Sequence, residues 1–412
     1  MNIFKNATSI KLVATEAFST LSSQLYFFVI PLIAITTMNA TTSDVGYINT
    51  AMGLGTFIFL LLLGPLCDIR KTHLLLSLIS VLRFFILLFT AYLLATKKLD
   101  ILFVCVSVFF VAGISAIYES TISSYSEKII DKDKLHNINS WMGGLRTIAD
   151  VATGTISGLL LSVSNGYLTI IIISIFFFLS ALGPLSFHKK INEKNNERGL
   201  ENLKVEFNDL FHGMRIILSD KSHKSINLSI IQFNLFTSIM FSTYIIYCIK
   251  VGSMTVLDVG FAGSIGGIVG LIGIPMSNFI SKKIDFKKIM MVTLFSPGVI
   301  GCLIFFIPRS DQLVKMILLG LVLGLWSITI LINISAFETF KQKTISYESI
   351  GRYSAASRCI TWGIEPVGAL LVAFFSPYMP LNIILIISLI GIAFSPIWIF
   401  LSNVPKKLLI HI

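Results

Sequence analysis

The sequence predicts an all-α membrane protein with twelve transmembrane helices in two pseudo-symmetric six-helix bundles, and three observations predict it. The chain is too apolar for water, its apolar residues fall into twelve windows of spanning length, and its two halves repeat one another.

Of the 412 residues, 55% are hydrophobic and 13% charged, and the mean hydropathy is +0.85. Phe alone supplies 33 residues, and the run from Ile170 to Phe178 carries no polar side chain larger than Ser. A helix apolar on all sides has no face to turn to water, so its solvent is lipid. The formal charge of +11 invites a nucleic-acid reading, but that reading requires a basic patch on a soluble domain, and none is present; no nucleic-acid partner is expected. The cysteines Cys67, Cys105, Cys248, Cys302 and Cys359 are scattered singly without a CxxC pair, and the six histidines lie singly in loops and at the C-terminus. Neither set suggests a metal site or a cofactor, and no Walker, HExxH or GxSxG sequence points to ATP-driven transport or to an enzyme.

Apolar windows bounded by charges or by Pro, Gly and Asn clusters fall at 13–36, 45–66, 73–96, 100–124, 138–163 and 167–187, then at 225–249, 257–281, 287–308, 313–339, 351–375 and 381–402. The first follows Lys5 and Lys11 as a signal peptide would. It runs about 25 residues and contains Glu16 and Gln24, which predicts a retained helix. The expected organisation is a bundle over 1–187, a cytoplasmic linker over 188–224 and a second bundle over 225–412. In the linker, Leu203, Phe207, Leu210, Phe211 and Met214 suggest a short amphipathic helix on the membrane surface, with a solvated connector as the alternative. With the amino terminus inside, 24 of the 32 basic residues fall on the cytoplasmic side, against five outside (Lys97, Lys98, Lys250, Arg309, Lys315). This asymmetry predicts an inner-membrane protein with both termini in the cytoplasm.

The repeat is explicit. Asp44-Val45-Gly46 opens the second window and Asp258-Val259-Gly260 the eighth, at an offset of 214, while Glu119 corresponds to Glu338 and Arg146 to Arg358 at offsets of 219 and 212. Duplicated six-helix halves place a substrate site between them and imply alternating access.

This layout resembles the major facilitator superfamily across essentially the whole chain. Gly64-Pro65-Leu66-Cys67-Asp68-Ile69-Arg70-Lys71 resembles the family's signature loop of Gly, a small residue, Asp and a basic cluster, although Ile69 stands where Arg is usual and the later Gly is missing. Gly351-Arg352 leading to Glu365-Pro366-Val367-Gly368 is similar to the drug, macrolide and siderophore efflux branch, whose members act as drug:proton antiporters. Ala149-Asp150-Val151-Ala152-Thr153-Gly154 departs from that branch, which often has a Gly-Pro pair there, and Gly154 and Gly158 keep the close packing such a pair provides. The resemblance implies a monomeric secondary transporter in lipid that handles a small-molecule substrate and protons. Export of an amphipathic natural product such as an antibiotic, a peptide antibiotic or a siderophore leads. Import of a small polar solute, or a non-transporting sensor or integral enzyme, are the alternatives.

Eight ionisable residues fall inside the windows: Glu16, Arg83, Glu119, Arg146, Asp150, Glu338, Arg358 and Glu365. Each costs about 3 kcal/mol at the centre of a span, so each needs a partner or a function. Arg146 and Asp150, four apart, share a helix face and can pair. Glu119 with Arg146 and Glu338 with Arg358 can latch the cytoplasmic ends of the bundles, joined by Asp68 and Arg70 of the signature loop, with snorkelling surface carboxylates as the alternative. Glu16, Asp150 and Glu365 are the candidate proton-coupling carboxylates, because apolar surroundings suit proton exchange, with packing or substrate contact as the alternative. Spans one, four, seven and ten line the cavity in the resembled fold. There Gln24, Tyr26, Tyr118, Gln232, Asn234, Tyr244, Trp326 and Asn333 are candidate substrate contacts, with helix-to-helix hydrogen bonding as the alternative role.

Overall fold

Lipid offers the backbone no hydrogen-bond partner, so a spanning chain must close its bonds within helices. The computed structural model describes residues 7–63, 72–129, 132–185, 203–346, 349–402 and 404, and they are helical nearly throughout. The order is α1 (Ala7–Thr37), α2 (Thr42–Leu63), α3 (Thr72–Ala95), α4 (Ile101–Ile129), α5 (Lys132–Val163), α6 (Gly166–Leu185), α7 (Leu203–Ser219) and α8 (Lys221–Lys250). There follow α9 (Val256–Gly270), α10 (Gly273–Lys283), α11 (Phe286–Gly301) with a 3-10 extension to Arg309, α12 (Gln312–Thr344), α13 (Ile350–Trp362), α14 (Glu365–Phe375), α15 (Leu381–Ala393) and α16 (Ile397–Phe400).

Among the described residues, 11 segments are long and apolar enough to cross a membrane. The remaining expected span is α5, whose 32 residues are about 48 Å of helix. Arg146, Asp150 and its many Gly, Ser and Thr residues make it the most polar of the twelve. Several helices outrun their apolar windows: α5 begins at Lys132 and α12 continues to Thr344. A polar turn outside the lipid still gains its backbone bonds by staying helical. Four spans of the second half are made of two pieces, and Pro366 in the first turn of α14 marks one break.

The chain divides into two compact units. The first holds Met1–Ala40 and Ala51–Leu203, the second Thr41–Thr50 and Lys204–Ile412. Within the first, α1 packs on α4, α5 and α6, and α3 on α4 and α6. Within the second, α8 packs on α14 and α15, and α11 on α12 and α15. Most of these packings correspond when α1 is matched to α8, α3 to α11, α4 to α12, α5 to the α13–α14 span and α6 to α15; that of α1 on α4 has only a slighter counterpart in α8 and α12, carried by side chains such as Phe233 and Trp326.

The repeat at offset 214 has a local physical cause. After α1, Asn39 takes a left-handed φ of 55°, and after α8, Ser253 takes 52°. The amide of Ala40 donates to the carbonyl of Ala34 (2.9 Å) and that of Met254 to the carbonyl of Cys248 (3.0 Å), a six-residue closure that folds the chain back over the helix end in both places. Next, the Thr41 amide and hydroxyl donate to Asp44 Oδ2 (2.8 and 2.7 Å), and the Thr255 amide and hydroxyl to Asp258 Oδ2 (2.7 and 2.6 Å). Both are Thr-x-x-Asp capping boxes, so the repeated Asp of each half starts the next helix. Gly46 serves contact: in the second unit a Cβ there would meet the backbone of Ala369 and Ala373 on α14. Gly266, Gly320 and Gly324 bring α9 and α12 equally close, as Gly55 and Gly113 do for α2 and α4 in the first.

The amphipathic helix expected in the linker is α7. Lys204 onward belongs to the second unit, and Asp220 alone joins α7 to α8, its Oδ1 accepting the amides of Ser222 (2.8 Å) and His223 (2.9 Å).

Replacing Thr255 with Val should lower the unfolding free energy by about 1 kcal/mol through loss of its cap. Replacing Ser253 with Gly should be neutral or stabilising, because glycine takes the left-handed turn without strain. Thermal unfolding of the purified protein in detergent reads both.

Candidate functional site

The first unit holds a charged centre built on one face of α1. Glu16, Ser19, Ser23 and Tyr26 follow at three- and four-residue spacing, and all four are buried, Glu16 with 0% of its surface exposed. Arg146 of α5 reaches across to it: Nε lies 2.9 Å and Nη2 2.7 Å from Glu16 Oε1. The pair is asymmetric, since the Arg146 side chain keeps 39% exposure. Glu16 Oε2 is buried with no hydrogen-bond partner.

One turn along α1 lies Arg83 of α3, a fully buried guanidinium that forms no ion pair among the described residues. Its Nη1 donates to Ser23 and Ser115 (both 3.3 Å), and its Nη2 to Ser19 (3.0 Å) and Ser80 (3.1 Å). The Tyr118 and Phe177 rings lie over it, their centroids 4.5 and 4.3 Å from Cζ. Hydroxyl dipoles and two π faces therefore stand in for water around this cation. Farther along, Tyr26 Oη and Ser107 Oγ are 2.6 Å apart, and Ser107 and Thr90 2.9 Å.

The expected pairings are thereby corrected. Arg146 meets Glu16, 130 residues away, rather than Asp150 on its own helix or Glu119 on α4. Glu119 and Asp150 are exposed and pair with no described residue. In the second unit Glu338 binds Lys341, one turn along α12, at 2.6 Å, and not Arg358. Lys341 is the buried member, its amine also 3.4 Å from the Ser354 hydroxyl. Arg358 is exposed and sits over the Trp362 ring at 5.8 Å. Glu365 is exposed and heads α14, which a break at Gly363–Ile364 separates from the helix bearing Arg358, so the two do not share one continuous face. Asp68 and Arg70 lie outside the described residues.

Most of the candidate substrate contacts tie helices together. Gln232 donates to the Gly391 carbonyl (3.1 Å) and accepts from Trp398 Nε1 (2.8 Å). Asn234 donates to the Thr361 carbonyl (2.7 Å), and Asn333 to Thr293 Oγ1 (2.8 Å). Tyr244 and Trp326 are buried against Phe241, and Trp326 also against Phe233. Tyr26 and Tyr118 belong to the interior of the first unit, and Gln24 is half-buried on α1.

One polar cluster goes unnoticed in the sequence. His223, expected in a loop, lies in the first turn of α8, buried against the rings of Phe340 and Tyr353. Its Nδ1 is 2.8 Å from Tyr353 Oη, to which Asn227 donates (3.0 Å), and Ser357 donates to Asn227 Oδ1 (2.6 Å). The available signal was the i, i+4 spacing of His223 and Asn227, matched by Tyr353 and Ser357 at the same spacing. For Arg83 the signal was four Ser residues in three apolar stretches, at Ser19, Ser23, Ser80 and Ser115.

Because one partner of the charged pair is buried and the other is not, replacing Arg146 with Gln should cost more stability than replacing Glu16 with Gln. The first strands a carboxylate in the interior, about 3 kcal/mol or more, while the second leaves an arginine that can reach a polar surface. Thermal unfolding of both variants and of the double variant measures the order. Phe177→Leu should cost about 2 kcal/mol by stripping one π face from Arg83, read in the same assay.

The sequence matches the model of the Major Facilitator Superfamily over residues 12–364. Among solved structures, the fold is similar to a bacterial homologue of the iron transporter ferroportin in an inward-facing state (TM-score 0.73, 13% identity, 95% of this chain and 98% of that one). It is also similar to the nucleoside transporter NupG (0.67, 14%, 97% and 100%). A bacterial homologue of the human lysosomal transporter Spinster is likewise similar (0.67, 11%, 97% and 97%). No curated protein matches in sequence. At these identities the solved structures speak for the fold alone. With the family matched over most of its length, this chain belongs to the major facilitator superfamily and is a multi-pass membrane transporter of the secondary type.

Proposed function

We propose that this transporter is driven by protons and that the Glu16–Arg146 pair is where the proton acts. The observation that carries the reading is the state of Glu16: wholly buried, one oxygen held by Arg146 and the other without a partner. A proton taken up on Glu16 cancels the attraction that holds Arg146, and α1 and α5 are then free to shift against each other. Release of the proton restores the pair. The second half has no equivalent, since Ile230 stands 214 residues after Glu16 and Phe233 after Ser19. Coupling is thus centred on the first unit, with the exposed Asp150 as a secondary carrier there and the exposed Glu365 as one in the second.

The cargo we propose is a small amphipathic natural product, an antibiotic, peptide antibiotic or siderophore, moved outward by proton antiport. Direction rests on the Gly351-Arg352 and Pro366-x-Gly368 resemblance. In the structure Pro366 opens α14, and a Cβ at Gly368 would meet the Leu235 carbonyl of α8. We place the protein in the inner membrane as a monomer with both termini in the cytoplasm, from the loop charges.

Cells lacking the gene, with and without a plasmid copy, should differ in their tolerance of a panel of amphipathic antibiotics. Retained compounds should accumulate less when the wild-type chain is present, and a protonophore should abolish the difference. Glu16→Gln, at equal membrane abundance, should lose it too. Higher accumulation with the wild-type chain would point to import. Unchanged transport and unchanged proton dependence with Gln at positions 16, 150 and 365 together would overturn proton coupling at these carboxylates.

A further inference from the structure

α7 carries two apolar faces, and among the described residues only one has a protein partner. Ile217 is buried with Tyr353 and Ala356, with Met214 and Ile216 packed against them. A Cβ at Gly213 would meet the Arg352 carbonyl, so the helix lies directly on the first turn of α13. Met214 therefore faces the protein and not a membrane surface. On another face, Phe211 is 70% and Leu218 61% exposed. They stand seven residues apart, two turns along one stripe, with exposed Arg215 between them at i+4 and i−3.

The position of this stripe decides what covers it. α7 is tied at two points to the starts of membrane spans: through Asp220 to the first turn of α8, and through Gly213 to the first turn of α13. A helix held at the mouths of two spans lies at the depth where acyl chains give way to headgroups. There Phe and Leu enter the acyl boundary while basic side chains stay among the phosphates. Around the stripe Arg215, Lys221 and Lys224 are exposed, and the one described carboxylate among them, Asp220, is occupied by capping α8.

We infer that α7 is an interfacial membrane anchor whose Phe211, Arg215 and Leu218 face binds the anionic phospholipid surface on the side where α8 begins. The apolar pair supplies insertion, and the basic residues supply a preference for negatively charged headgroups.

Nitroxide labels on single cysteines at positions 211, 218 and 212, in a chain whose native cysteines are replaced by Ala, test the geometry after reconstitution into phosphatidylcholine vesicles with and without phosphatidylglycerol. Labels at 211 and 218 should collide with dissolved oxygen several-fold more than with a water-soluble nickel chelate, the label at 212 the reverse, and phosphatidylglycerol should deepen the first two. Labels at 211 and 218 that are open to the nickel chelate, or shielded from both agents as under a protein partner, overturn the inference. So does equal depth in the two lipids.

A second measurement needs no cysteine replacement. Phosphatidylglycerol added to the unmodified chain in detergent should raise its unfolding temperature more than phosphatidylcholine does. Phe211→Ser, Arg215→Gln and Leu218→Ser combined should abolish that difference, and a difference that survives the triple substitution overturns the inference as well.

Discussion

A carboxylate with no exposed surface needs a cation, and Glu16 obtains one by drawing Arg146 across from α5. Lipid offers neither group a hydrogen bond, so the pair fixes the geometry of α1 against α5. The rest of the first unit's polar interior is arranged around the same face of α1. Ser19 and Ser23 point their hydroxyls at Arg83, and Tyr26 continues the line to Ser107 and Thr90. Arg83 is the more unusual of the two cations. It is solvated by neutral groups on α1, α3 and α4 and enclosed by two rings, which makes it a fixed charge in the wall of the unit rather than a partner to be released.

Duplication built the frame and divergence built the function. The two halves of the chain share the left-handed turn, the six-residue closure and the capping box, all of them devices for ending one spanning helix and starting the next. They share the Asp44/Asp258, Glu119/Glu338 and Arg146/Arg358 positions but not the buried charges of α1 and α3. The first keeps Glu16 and Arg83. The second replaces the Glu16 position with Ile230 and spends its polar groups on the buried His223, Asn227, Tyr353 and Ser357 cluster, a set of neutral hydrogen bonds that pins α8 to α13. Glycine does comparable work in both units, letting α9 meet α12 and α2 meet α4 backbone to backbone, where dispersion and not water holds helices together.

Much was legible in the sequence because hydropathy, helix capping and charge bias are local properties. A window of 20 apolar residues announces a span whatever surrounds it, Thr-x-x-Asp announces a helix start, and the family can be read from the order of spans and the signature segments. The eight intramembrane ionisable residues were likewise visible as exceptions to an apolar background. α5 shows where locality fails, since the polar residues it carries, Arg146 and Asp150 among them, dilute its apolar signal.

What only the tertiary structure decided is which of those exceptions meet. Spacing along one helix suggested Arg146 with Asp150, and symmetry suggested Glu119 with Arg146 and Glu338 with Arg358. The rotation of α5 about its axis turns Arg146 toward α1 instead, and Lys341 reaches Glu338 first. The same rotation problem separated cavity candidates from helix ties, as at Gln232, Asn234 and Asn333. The sequence by itself determined the class of the protein, its spans and its duplication, because these depend on each residue's transfer from water to lipid. Pairing across helices depends on crossing and rotation, which are set by the summed packing of every side chain in the unit and are written at no single position.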